Sequence, residues 1–183
     1  CLPEHLQVWP AHGAGSACGK GLGAIPSSTV GYEKLFNPAL QIMDENDFVQ
    51  YILADQPDAP KYFAVMKRVN KEGPEIIGAA GLPAFRDAAQ VRSVLPESTL
   101  IDLSPSQQFA QAHVKGSINI PLPRLAGWAG WVVDYSKPVS LIASTAQLPE
   151  AVRILRKIGL DRVPVAFEAS AVRAAGLMTQ SYP

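Results

Sequence analysis

The chain has 183 residues, of which 48% are hydrophobic and 17% charged, and its 16 basic and 16 acidic side chains cancel. A balanced charge with no Lys/Arg block excludes the electrostatic footprint of a nucleic-acid or anionic-membrane binder. No apolar run reaches the roughly 18 residues of a membrane-spanning helix, and two cysteines, Cys1 and Cys18, make no disulfide framework, so a cytoplasmic setting is expected. The opening residues, CLPEHLQVWP, lack a basic and then apolar signal segment. Position 1 is not methionine and a strand-like run follows almost at once, so the chain reads as a fragment of a longer protein.

The elements follow in order. Leu6 to Pro10 is a short apolar strand candidate. His12 to Gly23 holds glycines at 13, 15, 19, 21 and 23, too many for a helix interior at about 1 kcal/mol each, so it is a loop. MDENDFVQYILADQ reads as a helix, with Asp44 or Asn46 as its cap and Phe48, Tyr51 and Ile52 at helical spacing. A second helix follows Pro60, with a stripe of Tyr62, Phe63, Met66 and Val69. Lys-Glu-Gly-Pro at 71–74 ends it and marks a domain boundary. Beyond that point apolar strands alternate with helices. Strands are expected at 98–104, in SINIPL, in PVSLIAS and in DRVPVAF. One helix begins after Ser104 as cap, with Pro105 in its first position. Another, LPEAVRILRKIGL, lines up Ala151, Ile154, Leu155 and Ile158 and closes at Gly159. This alternation predicts an α/β domain with a mainly parallel sheet covered on both faces.

LIDLSPSQQFAQAHVKGSINIPL (100–122) resembles the rhodanese homology domain. Asp102, Phe109, His113, Val114, Gly116, Ser117, Asn119, Ile120 and Pro121 carry the resemblance, which extends over about residues 76–183. It implies a rhodanese-like fold. Active members of that family place a cysteine after the strand that here reads PVSLIAS, in a six-residue loop whose amide N–H groups hold a persulfide anion. A ring of amide dipoles depresses the pKa of a thiol and so supplies the nucleophile. Here the corresponding residues are Ser144, Thr145, Ala146, Gln147, Leu148 and Pro149, and no cysteine occurs after Cys18. A catalytically silent rhodanese fold is therefore expected, with no catalytic residue in this loop. Ser104 and Gln108 stand where the family has an Arg and a Glu. Losing both spares the chain one unpaired buried charge, at ~3–5 kcal/mol. His113, without a nucleophile beside it, is expected to be structural and to bond a backbone carbonyl.

VWPAHGAGSACGK (8–20) resembles the late strand and loop of the metallo-β-lactamase superfamily, in its glyoxalase II-like and persulfide dioxygenase-like branches. His12 matches the last histidine of the ordered metal set, so the resemblance implies that it is a metal ligand or stands behind one in the intact parent. SSTVGYEK further resembles bacterial proteins that fuse such a domain to rhodanese domains. A metal that activates water or O₂ needs about three protein ligands. The His-x-His-x-Asp-His run that supplies most of them is absent, and the chain has only His5, His12 and His113. Iron or zinc is thus expected in the intact parent and no metal in this chain alone. Cys18 has two open readings, a packing residue or a thiol that guides a persulfide. Ser16, Lys20 and Tyr32 are candidate rim residues, more simply read as surface or turn.

These readings place an incomplete metallo-β-lactamase-like segment at 1–74 and a rhodanese-like domain at 75–183. The implied parent is a persulfide dioxygenase-like iron enzyme of sulfur metabolism. The alternatives are a two-zinc glyoxalase II-like thioester hydrolase, or a rhodanese-like domain that serves only for docking. The expected partner is a small persulfide or a thioester, with neither nucleic acid nor membrane, and a homodimer is left open.

Overall fold

The computed structural model describes residues 2–10, 26–55, 58–76, 78, 81–179 and 181. The chain forms two compact units, Cys1–Asp58 and Ala59–Pro183.

In the first unit, strand β1 (Gln7–Val8) pairs antiparallel with β2 (Ser28–Thr29), setting Gln7 opposite Thr29 and Val8 opposite Ser28. The strand read over 6–10 is thus present in shorter form, and the glycine-rich stretch 12–23 lies outside the described residues. Helix α1 (Val30–Phe36) starts where Thr29 Oγ1 accepts from the Tyr32 N–H at 3.2 Å. Helix α2 (Glu45–Leu53) is capped by Asp44, whose Oδ1 accepts from the amides of Asn46 and Asp47 at 2.9 and 3.0 Å. Of the two cap candidates it is Asp44 that serves, because it alone precedes the first turn. No described residue of this unit is buried. Phe48 and Ile52, the apolar stripe of α2, each keep 37% exposure, and Met43 is 92% exposed.

The second unit is a five-stranded sheet flanked by helices. Its elements are α3 (Tyr62–Glu72), β3 (Phe85–Arg86), β4 (Thr99–Asp102), α4 (Ser106–Gln111), β5 (Ile118–Asn119), α5 (Leu125–Val132), β6 (Val139–Ala143), α6 (Leu148–Lys157), β7 (Val165–Glu168) and α7 (Ala169–Ala174). The strand order is β3-β7-β6-β4-β5, and every pair is parallel. Parallel neighbours need crossovers, which lay helices on the faces of the sheet. Alternate residues therefore enter two separate cores. Ile101, Leu141 and Ala166 meet α5 and α6 through Leu125, Ala129, Val152 and Leu155. Leu100, Ile142 and Phe167 meet Val91, Val114 and Val172 of α7 on the other face. Each fully buried aliphatic side chain contributes roughly 1.5–3 kcal/mol by leaving water.

Helix α6 ends as its sequence predicts. Gly159 adopts φ +77°, its N–H reaches Arg156 O at 3.1 Å, and the Leu160 N–H reaches Leu155 O at 3.0 Å. Gly176 ends α7 in the same way, with φ +66° and bonds from Gly176 and Leu177 back to Arg173 and Val172.

Several features differ from the sequence reading, which did not include β2, α1, β3 or α7. Ser104 does not cap α4; Pro105 holds that place. Ser104 is drawn instead into a clasp at the end of β4. Its N–H donates to Asp102 Oδ1 at 2.8 Å, and its carbonyl accepts from Asn119 Nδ2 at 2.8 Å. Asn119 Nδ2 also donates to Asp102 O at 3.1 Å, so the clasp ties β4 to β5. The two compact units divide before α3, whose Tyr62 packs against the core formed by α5 and α6. Helix α5 is a further element that sequence did not suggest. Its LAGWAGWV carries two glycines that disfavour a helix. A Cβ at Gly130 would overlap the Tyr62 ring, so this glycine is what lets α3 lie against α5.

Two outcomes follow for stability. Asp102→Ala leaves the buried Ser104 amide without an acceptor and is expected to cost about 1–3 kcal/mol in urea unfolding, whereas Asp102→Asn, which keeps the accepting oxygen, should cost under about 1 kcal/mol. Gly159→Ala forces a left-handed alanine, with a Cβ 2.6 Å from Met66 Cε and 3.0 Å from Val65 Cγ1. It is expected to lower stability by about 1–2 kcal/mol or more, read as a drop in the urea midpoint at unchanged slope.

Candidate functional site

In a parallel sheet the loops at the carboxyl ends of the strands gather on one edge, where side chains from several strands meet. Here the ends of β4, β6 and β7 adjoin, because Asp102 lies opposite Ile142 and Ala143 opposite Glu168. The turn after β6 holds Ser144, Thr145, Ala146 and Gln147, and α6 starts directly at Leu148. Leu148 is buried in the core. The six residues that matched a nucleophile loop are therefore a tight turn plus the first helical residues, Leu148 and Pro149.

The turn is closed on itself. Gln147 Oε1 accepts from the Ser144 N–H at 3.0 Å and from its hydroxyl at 3.2 Å. The N–H groups of Gln147 and Leu148 donate to Ser144 O at 3.0 and 3.2 Å. Gln147 Nε2 reaches across to Leu103 O at 3.5 Å, which pins the side chain between β4 and β6. The amides of Ser144, Gln147 and Leu148 are thus engaged by the chain itself. Thr145 Oγ1 donates to Glu168 Oε2 at 3.0 Å, and Ser170 Oγ donates to Glu168 Oε1 at 3.4 Å. Sequence reading missed Glu168. It ends β7, far from the motif in sequence, and only the β6–β7 pairing brings it beside Thr145.

The structure brings Ser144 and Thr145 into this edge as expected. Ser104 and Gln108 it does not bring together, since Ser104 is buried in the clasp and Gln108 is exposed on α4. The unpaired group proves to be Asp102. It is fully buried, and its Oδ2 has no hydrogen-bond partner among the described residues. His113 is structural. It is 3% exposed, its Nδ1 lies 2.8 Å from Phe109 O, and its ring stacks on Phe109 at 4.1 Å between centroids.

In the first unit, Tyr32 sits on α1 with its ring 4.7 Å from Phe36 and half exposed, as a surface residue does. His12, Cys18, Ser16, Lys20 and Cys1 lie outside the described residues. Among the described residues no group of three or more His, Cys, Asp or Glu side chains is placed to hold a metal ion. No helix among them is long and apolar enough to cross a membrane.

No protein-family model matches the chain, and no curated protein matches it. Solved structures do. A metallo-β-lactamase from Staphylococcus aureus subsp. aureus COL is 35% identical, with a TM-score of 0.62 over 90% of this chain and 45% of its own. The rhodanese-like domain of the Alr3790 protein from Anabaena sp. is 24% identical over 53% of this chain and 78% of its own, with a TM-score of 0.45. A rhodanese-related protein from Thermoplasma volcanium is 23% identical over 54% and 94%, with a TM-score of 0.42. The chain therefore spans under half the length of the metallo-β-lactamase it resembles. The fold class is the one expected, α/β with a five-stranded parallel sheet flanked by helices, and 90% of the chain is similar to part of a metallo-β-lactamase.

Proposed function

We propose that the chain belongs to a metal-dependent enzyme of sulfur metabolism with a metallo-β-lactamase fold, persulfide dioxygenase-like, in which the rhodanese-like domain has no sulfurtransferase activity of its own. The observation that carries the silent domain is the 144–147 turn. It holds no thiol, and Gln147 satisfies the Ser144 amide and hydroxyl from inside the turn. Thr145 does not replace a thiol. Its neighbour is the exposed end of Glu168, and a hydroxyl beside a carboxylate alone lacks the oriented base that activates a nucleophile.

Two observations support a parent larger than the described units. None of the described apolar residues of the first unit is buried, although α2 carries an apolar stripe that a folded domain covers. The similarity to the staphylococcal protein extends over 90% of this chain but 45% of that one. Among the described residues no side-chain group fits a metal centre. The ligands that this reading implies belong to other parts of the parent, with His12 as this chain's proposed contributor.

The silent domain predicts background thiosulfate:cyanide sulfurtransferase activity for the chain. Ser144→Cys supplies a thiol but not an open cradle, so it is expected to stay within about tenfold of background. Robust turnover by that variant would show the turn to be a working sulfur site. For the intact parent, oxygen uptake with a persulfide substrate tests the activity. There His12→Ala is expected to keep the iron and to lower kcat/KM about 10–100-fold, as loss of a residue behind the ligands does. Loss of a metal together with thioester hydrolysis would instead identify the two-zinc hydrolase.

A further inference from the structure

The carboxyl edge of the sheet carries the closed 144–147 turn, and the other edge carries a cavity of about 500 Å³. It opens where α3 meets the end of α6 and the segments that lead into β6 and β7. That volume lies within the ~300–1,000 Å³ of small-molecule sites.

Its floor is apolar. Val65, Met66 and Val69 come from α3, and Leu160, which is buried, comes from the turn after α6. Tyr135 adds a phenol that donates to Ile158 O at 2.8 Å. Burial, with a smaller contribution from Tyr62, pushes that phenol up to about 12, so it stays uncharged.

Its rim is basic. Lys137, Arg156, Lys157 and Arg162 face it, against Glu75 and Asp161. Arg68 also lines it but is paired with Glu72 at 3.3 Å. The whole chain has equal numbers of acidic and basic residues, so this concentration does not reflect a basic protein. Arg156 and Lys157 have a local reason to be basic, since they end α6, where the helix dipole favours cations. Lys137 and Arg162 have no such reason, being outside any helix. Neither forms an ion pair within 4.0 Å among the described residues. Arg162 Nη2 donates to Ser136 O at 2.8 Å, which holds the guanidinium at the mouth. Asp134, in the same turn, accepts from the Ser136 amide and hydroxyl through Oδ1 at 2.9 and 2.7 Å, and Lys137 adds only a lesser attraction to its carboxylate.

A guanidinium and ammonium groups around an apolar floor suit a ligand with a flat apolar body and several negative charges, and Arg and Lys are the residues that bind phosphate. We propose that this cavity is a binding site for an organic polyphosphate of the nucleotide class, separate from the sheet edge that carries the 144–147 turn.

Isothermal titration of the full chain with ATP and with inorganic pyrophosphate, at low ionic strength, tests it. Submillimolar ATP binding is expected, weakened about tenfold or more by the double variant Lys137→Glu/Arg162→Glu. Lys137→Glu alone breaks no hydrogen bond seen here, so the fold is kept, and it should weaken ATP about threefold. Pyrophosphate, which cannot reach the floor, should bind about tenfold more weakly than ATP. The proposal is overturned by the absence of ATP binding up to millimolar concentration, by equal affinity in Lys137→Glu and the unaltered chain, or by pyrophosphate binding as tightly as ATP.

Discussion

The second unit depends on the burial of β6 on both faces and both edges. All five of its residues, Val139 to Ala143, are buried, with β4 on one side and β7 on the other. A strand so placed must be apolar on alternate faces and must find a partner for any polar group. Ser140, fully buried, is 2.8 Å from Ser98 Oγ, which in turn donates to Val94 O at 3.0 Å. An unpaired hydroxyl there would cost about 1–3 kcal/mol, so the pair belongs to the core as much as the aliphatic residues do. Once β6 is central and parallel to its neighbours, helices must cover both faces, and the strand ends must collect at one edge.

A reactive thiolate at that edge would need a thiol and open amides together. The turn instead offers Ser144, and a glutamine three residues on folds back to take its amide and hydroxyl. The result is a rigid, self-satisfied connection between β6 and α6. Asp102 lies at the same edge, and its buried Oδ2 has no hydrogen-bond partner among the described residues. It is kept because Oδ1 holds the Ser104 amide in the clasp between β4 and β5.

The opposite edge is built differently. Tyr62 packs into the core formed by α5 and α6, and Val65 and Met66 come close to Gly159. Gly130 and Gly159 are the two points where a side chain would block this approach. Helix α3 thereby becomes both a cover for the core and the apolar wall of a cavity whose rim is basic.

The regular elements were legible in the sequence where a local pattern settles them. The stripe of α6 and its closing Gly159, a cap for α2 at Asp44 or Asn46, and the apolar runs of β4, β6 and β7 follow from short-range periodicity and capping chemistry, which neighbours a few residues apart decide. The missing thiol was equally plain, since no cysteine follows Cys18. Other features needed the folded chain, because they join residues far apart in sequence. Helix α5 forms despite its glycines because Tyr62 fills the space that Gly130 leaves. Glu168 meets Thr145 only through strand pairing, and Ser104 leaves its expected cap because Asp102 and Asn119 claim its backbone. Local pattern sets which segments can be helix or strand. Which polar groups meet, and which glycines are needed, is decided by packing between segments that sequence does not bring together.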